Sequence, residues 1–290
     1  MIFEHRSFWM PKDVRNRQGY QDAAEFDAST GIAAIADGAS SSLFSGSWAK
    51  ILTRGVVGNP PDVSDREGFA AWLDELRELW REPIDDSVLA WHQKPKLQDG
   101  AHSTLLWIQL TATAAGAQMT SFAIGDCCLF HFRDGKPLRA FPLEKSNLFD
   151  ATPDMLGSVS KEETPTTFQH LADECRHGDI LALCTDALAV WTLGELEAGR
   201  DLDWGEFWAM TPDEFEERIT ELRADDAIRF DDTTLLLLKI VEGEDEAPAG
   251  SELDDLVDDV KASIDDVKEK VQETSDRLLK RLRRDRRRRK

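Results

Sequence analysis

Four short apolar runs in this chain each meet an aspartate at one end. Residues 31–36 run into Asp37, 121–125 into Asp126 and 179–185 into Asp186, while 233–238 follow directly on Asp231 and Asp232. Runs of this length, bounded by turn formers, predict buried strands. Aspartates at strand ends can converge on one end of a sheet. Carboxylates gathered without counter-charges repel one another, so a cation is their natural partner, and an all-oxygen donor set selects Mg2+ or Mn2+ over zinc.

Further strands are predicted over 104–113, 118–125, 128–132 and 137–141, the last two joined as a hairpin through Asp134-Gly135. Helical spacing predicts helices over 45–57, 69–80, 204–210 and 212–222. In the second, Phe69, Trp72, Leu73, Leu76 and Trp80 share one stripe, read as core packing. The fourth opens at Thr211 with Pro212 at its first position. Consecutive strands linked by short turns favour antiparallel pairing, so the class is α+β rather than a doubly wound sheet.

Beyond Val241 the pattern changes. Residues 242–252 are acidic and carry Pro and Gly, as a linker between the body (1–241) and a tail would. In the tail, 253–290, Leu253, Val257, Val260, Ile264, Val267, Val271, Thr274 and Leu278 alternate spacings of four and three, the coiled-coil seam of one long amphipathic helix. A seam over 253–278 wants a helical partner, whether a second copy of the chain, another protein or the body itself. The end, 281–290, is almost entirely arginine and lysine and suits an anionic surface, with membrane docking as the sharpest form.

Composition narrows the classes. With 290 residues, 41% of them hydrophobic, the chain can bury a sizeable core, and its formal net charge of -21 argues against free nucleic acid as a partner of the body. No apolar stretch of about 18 residues occurs that could cross a membrane, and the start of the chain lacks the apolar centre of a signal peptide. The expected location is the cytoplasm, with peripheral membrane contact through the basic tail. Cys127, Cys128, Cys175 and Cys184 fit no zinc spacing and read as reduced, buried thiols. Ser40, Ser41 and Ser42 lack the His/Asp arrangement of a serine nucleophile.

The order of the short motifs carries more than any one of them. Arg17 to Asp22 is followed by Asp37-Gly38-Ala39-Ser40, then Gly100 to Thr104, Gly125-Asp126, Thr185-Asp186 and Asp231-Asp232-Thr233-Thr234. This series resembles the metal-dependent protein phosphatases of type 2C over about residues 17–240. The resemblance implies a four-layer sandwich of two central antiparallel sheets flanked by helices, with the C-terminal amphipathic helix in addition. It implies hydrolysis of phosphoserine and phosphothreonine in proteins by a water activated between two divalent ions, Mg2+ or Mn2+. Position by position, Asp37 matches the aspartate that bridges both ions, and Gly38 supplies a carbonyl ligand. Asp186 and Asp231 complete the first metal. Gln21 falls where many members carry a glutamate near the second, and Asp22 follows it as in the family. Asp126, with Asp186, matches the pair that can hold a third, weaker ion. Arg17 falls on the arginine that holds the substrate phosphate. Residues 147–171 lie near a mobile flap beside the cleft, and read equally as a substrate-selecting element or an ordinary loop.

There are departures from the family pattern. Gln21 removes a charge, and Asp232, in place of the usual asparagine, adds one. Ala39 stands where some members have a histidine proton donor, and Ala187 replaces a glycine, which predicts a turn without positive φ. Two other readings stay open: a catalytically silent relative that binds phosphoproteins or assembles through its tail, and a phosphatase for a small phosphorylated metabolite.

Overall fold

A computed structural model describes residues 2–149, 153–160 and 168–241. The linker expected over 242–252, the tail helix over 253–290 and parts of the expected flap lie outside the described residues. Of the described residues, those up to Glu82 and those from His92 on fall in one compact unit, which holds everything discussed below, and Pro83–Trp91 falls in another.

In chain order the elements are β1 (Ile2–Met10), β2 (Ala23–Asp27), β3 (Ile32–Ala36), α1 (Ser45–Gly58), α2 (Arg66–Arg81), α3 (Lys94–Asp99), β4 (His102–Ser103), β5 (Leu105–Thr113), β6 (Gly116–Ile124), β7 (Cys128–Arg133), β8 (Lys136–Phe141), β9 (Leu156–Gly157), β10 (Gln169–Arg176), β11 (Ile180–Cys184), α4 (Asp186–Glu197), α5 (Trp204–Ala209), α6 (Pro212–Ala224) and β12 (Thr233–Val241). They build two five-stranded sheets, ordered β1-β12-β11-β7-β8 and β10-β6-β5-β3-β2, and a small β4-β9 pair. Every pairing is antiparallel.

The leucine run of β12 shows why the first sheet is central. Side chains alternate across a strand. Leu236, Leu238 and Ile240 enter one core with Leu181 and Leu183 of β11 and with Ile35, Leu106, Ile108 and Met119 of the second sheet. Leu235 and Leu237 enter another with Phe130, Trp191, Trp204 and Phe215, under α4, α5 and α6. A strand buried on both faces has no use for polar positions, which explains its unbroken apolar sequence. On the second sheet, Trp48 of α1 is fully buried and donates from Nε1 to the Leu156 carbonyl at 2.8 Å. That bond and the β4-β9 pairing hold Leu156 and Gly157, within the expected flap, in a fixed strand.

Local signals behave as the sequence implies. Asp134 and Gly135 both take positive φ (50° and 72°), the two-residue turn that matches strand twist. Thr211 and Glu214 form a reciprocal cap at the start of α6. Ala187 takes no positive φ and lies in the first turn of α4. All four cysteines are free and buried.

Candidate metal centre

Antiparallel order brings five chain segments to one end of the two sheets. Asp37 ends β3, Asp22 precedes β2, Asp126 lies between β6 and β7, Asp186 opens α4 straight after β11, and Asp231 precedes β12. The surrounding backbone is fixed by specific bonds. The Asp37 amide donates to Thr104 Oγ1 at 3.1 Å, and its carbonyl accepts from the Thr104 amide at 2.9 Å and Ser103 Oγ at 2.8 Å. Gly38 is required by space: a Cβ there would lie 2.7 Å from the Gln21 carbonyl oxygen and 2.8 Å from the Ser45 backbone. Gly125 is required by conformation as well, with φ at 93° and a Cβ position 2.5 Å from Thr104 Cγ2.

Asp22 spans the two sheets. Its Oδ2 accepts from Thr185 Oγ1 at 3.0 Å and from Thr234 Oγ1 at 2.6 Å, and the Thr234 amide donates to Thr185 Oγ1 at 3.0 Å. The Tyr20 hydroxyl bonds Thr234 Oγ1 in turn. Asp232 has a different task. One oxygen accepts the Lys12 amide at 2.6 Å and the other the Gln21 amide at 2.7 Å. An asparagine offers only one acceptor oxygen, so the second carboxylate oxygen accounts for this departure from the family pattern.

The charges are in conflict. Burial drives Asp37 well above the usual carboxylate range, and Asp22, Asp186, Asp126 and Asp231 drive it further. Burial lifts Asp22 to about 8 against its threonine bonds, with Asp232 and Asp186 adding to the rise. Asp126 is pushed to about 7 by burial and by Asp186. Burial and Asp231 raise Asp186, which Arg229 partly offsets. Asp22 Oδ1 and Asp186 Oδ1 are buried without a hydrogen-bond partner. Orphaned carboxylate oxygens in a field of like charge are what a hard divalent cation relieves, and the donors are all oxygen. The residues therefore fit the ions that the sequence implies.

The aspartates do not crowd onto one point. Among the described residues, only His131, Cys175 and Asp179 bring three ligand atoms within 4.8 Å of one another. That trio lies at the opposite end of β11 from Asp186. Its Asp179 accepts from Arg133 Nε and Nη2 at 2.9 and 2.7 Å and from the Arg176 amide at 2.8 Å, and it pairs with His131 Nε2 at 2.8 Å. Both Asp179 oxygens are satisfied and Arg133 balances the charge, leaving only His131 Nδ1 without a hydrogen-bond partner, so the trio reads as a structural tie between β7, β10 and β11.

A sequence model described as protein phosphatase 2C matches residues 12–226. The chain belongs to the protein phosphatase 2C family. The matched span contains Arg17, Gln21, Asp22, Asp37, Gly38, Asp126 and Asp186 and stops just before Asp231, whose place at the centre rests on its electrostatic coupling to Asp37 and Asp186. No curated protein sequence matches the chain. Among solved structures, the fold is similar to the catalytic domain of the serine/threonine phosphatase PstP in complex with two manganese ions (17% identity, TM-score 0.52, covering 83% of this chain and 99% of that one). A second PstP structure, from Mycobacterium tuberculosis, matches at 16% identity and TM-score 0.53, covering 83% and 100%. PppA of Pseudomonas aeruginosa, described as a regulatory component of T6SS, matches at 18% and 0.51, covering 83% and 98%.

In this member of the family the cations take unexpected places. Arg17 lies on a short turn, donating from Nη2 to both carboxylate oxygens of Glu216 at 2.7 and 2.8 Å and resting over Trp9. The Gln21 side chain donates to Ser45 Oγ, and the Gln21 backbone carbonyl accepts the Gly38 amide at 3.2 Å. His102 Nδ1 is 3.4 Å from Ser42 Oγ, and no carboxylate among the described residues completes that pair. Two cations that sequence reasoning missed sit on the acidic centre itself: Lys12 Nζ is 3.2 Å from Asp231 Oδ1, and Arg229 Nη1 is 3.0 Å from Asp186 Oδ2. The available signal for Arg229 was its place two residues before Asp231.

Proposed function

We propose that this family member hydrolyses phosphoserine and phosphothreonine in proteins, using Mg2+ or Mn2+ held at the aspartate centre of a helix–sheet–sheet–helix sandwich. The observation that carries the reading is that separate chain segments bring Asp22, Asp126, Asp186 and Asp231 to the same end of the sheets as Asp37, with an orphaned buried oxygen on Asp22 and another on Asp186. Asp37 would bridge two ions, with the Gly38 carbonyl, Asp186 and Asp231 completing the set, and Asp22 and Gln21 on the second side. Asp126 and Asp186 would hold a third, weaker ion. When bound, the ions supply a nucleophilic water at neutral pH and screen the phosphoryl oxygens. The chain's own part is positional. Thr185 and Thr234 fix Asp22, Thr104 and Ser103 fix the backbone of Asp37, and Gly38 permits close approach of the β3 end to α1.

The test is release of p-nitrophenol from its phosphate ester, and of phosphate from phosphopeptides, with and without Mn2+. Wild type should turn over only with the ion, and Asp37→Asn should lose at least about a hundredfold, as expected when a bridging ligand goes. Wild-type turnover that is indifferent to chelation would defeat the reading. A second reading, a catalytically silent phosphoprotein binder, is favoured by the Arg229 and Lys12 contacts, which partly neutralise Asp186 and Asp231. Mn2+ binding by calorimetry without turnover on any of these substrates would select it.

A further inference from the structure

We propose that His102 is the proton donor to the leaving oxygen at this centre. The proposal rests on the phosphatase reading and adds a role that the aspartates leave open. When a phosphoserine ester is cleaved, its oxygen departs as an alkoxide unless a proton reaches it as the P–O bond breaks. Lys12 and Arg229, the cations beside the centre, are engaged with Asp231 and Asp186. His102 is placed by the backbone. Gly38 and Ser103 form a bridge between antiparallel segments, with the Thr104 amide donating to the Asp37 carbonyl and the Ala39 amide to the His102 carbonyl, both at 2.9 Å. In such a ladder alternate residues share a face, and so do directly opposite ones, so Asp37, Ala39, Thr104 and His102 project on one side. The imidazole therefore rises on the same side as the Asp37 carboxylate, a diagonal step of about 7–8 Å that aromatic and long side chains reach across. Its neighbours across the strands are the two smallest residues, Ala39 on one flank and, in the β4-β9 pair, Gly157 on the other. The ring uses that space, for a Cβ at Gly157 would lie 3.6 Å from its Cδ2 and Nε2. Nδ1 faces Ser42 Oγ at 3.4 Å, which directs the ring, while among the described residues no hydrogen bond reaches Nε2. The side chain is partly exposed, so it exchanges protons with solvent. The step balances. The water oxygen bonds to phosphorus as the bond from phosphorus to the serine oxygen breaks. That oxygen takes the imidazolium Nε2 proton, and the proton shed by the water returns to the imidazole through solvent.

A proton donor has a signature that a structural residue lacks: its worth grows with the basicity of the leaving oxygen. Nitrophenolate departs without a proton, phenolate less readily, and a serine alkoxide hardly at all. The experiment compares kcat of the full-length chain with Mn2+ on p-nitrophenyl phosphate, phenyl phosphate and a phosphoserine peptide. It uses wild type, His102→Gln and Ser42→Ala, with Mn2+ calorimetry and thermal unfolding of each. His102→Gln should lose about a hundredfold or more on the peptide, less on phenyl phosphate, and no more than about threefold on p-nitrophenyl phosphate, as for a general acid withdrawn where it is needed. Ser42→Ala, which keeps the donor and loses its guide, should fall between wild type and His102→Gln on the peptide. Mn2+ affinity and Tm should stay at wild-type values in both variants. With wild type active, equal losses on the three substrates, no loss on the peptide, or a His102→Gln protein that no longer binds Mn2+ would overturn the proposal and leave the phosphatase reading standing. A wild type silent on all three substrates would remove both.

Discussion

Asp126→Asn should stabilise the metal-free protein, by an amount that depends on pH. Asp126 is only 5% exposed, and burial together with Asp186 lifts its pKa from 3.8 to about 7. Between those two values the folded chain keeps a proton that the unfolded chain has released. Unfolding there gives up a proton, so this group's effect on stability worsens as pH rises, and the loss is complete above the folded-state value. About three pK units at about 1.4 kcal/mol each amount to about 4 kcal/mol. An amide cannot ionise and escapes that cost. Urea unfolding of the chelated protein should show the variant ahead by about 4 kcal/mol near pH 8, and by less than half of that near pH 5. Saturating Mn2+ should narrow the gap, because the ion stabilises wild type by mass action. Equal midpoints near pH 8, or a variant weaker than wild type, would refute the picture of buried like charges at this end of the sheets.

The same chemical change at the other end of the first sheet should have the opposite sign. Asp179→Asn removes the charge and one of the two acceptor oxygens that serve Arg133 and His131, and should destabilise the fold by about 3–5 kcal/mol in the same urea assay, the usual cost of breaking a buried pair. Gly38→Ala forces a methyl against the Gln21 and Ser45 backbones, and should cost about 1–3 kcal/mol in thermal unfolding and weaken Mn2+ binding by calorimetry.

Much of this architecture can be read from residue order alone, and the exceptions have physical causes. The strands beside Asp37, Asp186 and Asp231 are legible because both faces are buried, which leaves uninterrupted apolar runs. The stripe of α2 is legible because one face is solvated: Phe69, Trp72, Leu73, Leu76 and Trp80 are its buried residues. By contrast, α4 escapes periodicity because it is apolar nearly all round, with Ala187, Leu188, Ala189, Trp191 and Leu193 buried. At the sheet edges, β1 and β10 are mostly solvent-facing, and their sequences look like loop. At the centre, the aspartates are legible as a group because strand ends carry them to one end of the sheets. Their supports are not. Thr185 and Thr234 find Asp22 across the sandwich, and Glu216 finds Arg17 from α6, through contacts between residues some 160 to 210 positions apart in one case and 199 in the other. No local pattern encodes such distant partners.

The two poles of the first sheet imply a gradient along its strands. At one, Arg133 and His131 compensate Asp179 from within the chain; at the other, on the function proposed above, Asp126 and Asp186 would draw their counter-charge from ions in solution. Breathing motions begin where cohesion is weakest. Scarcity of divalent ions should therefore loosen the β11–α4 junction first and leave the far pole intact. Amide exchange and proteolytic nicking would register that asymmetry, and the ambient supply of ions would set the lifetime of the chain as well as its chemistry.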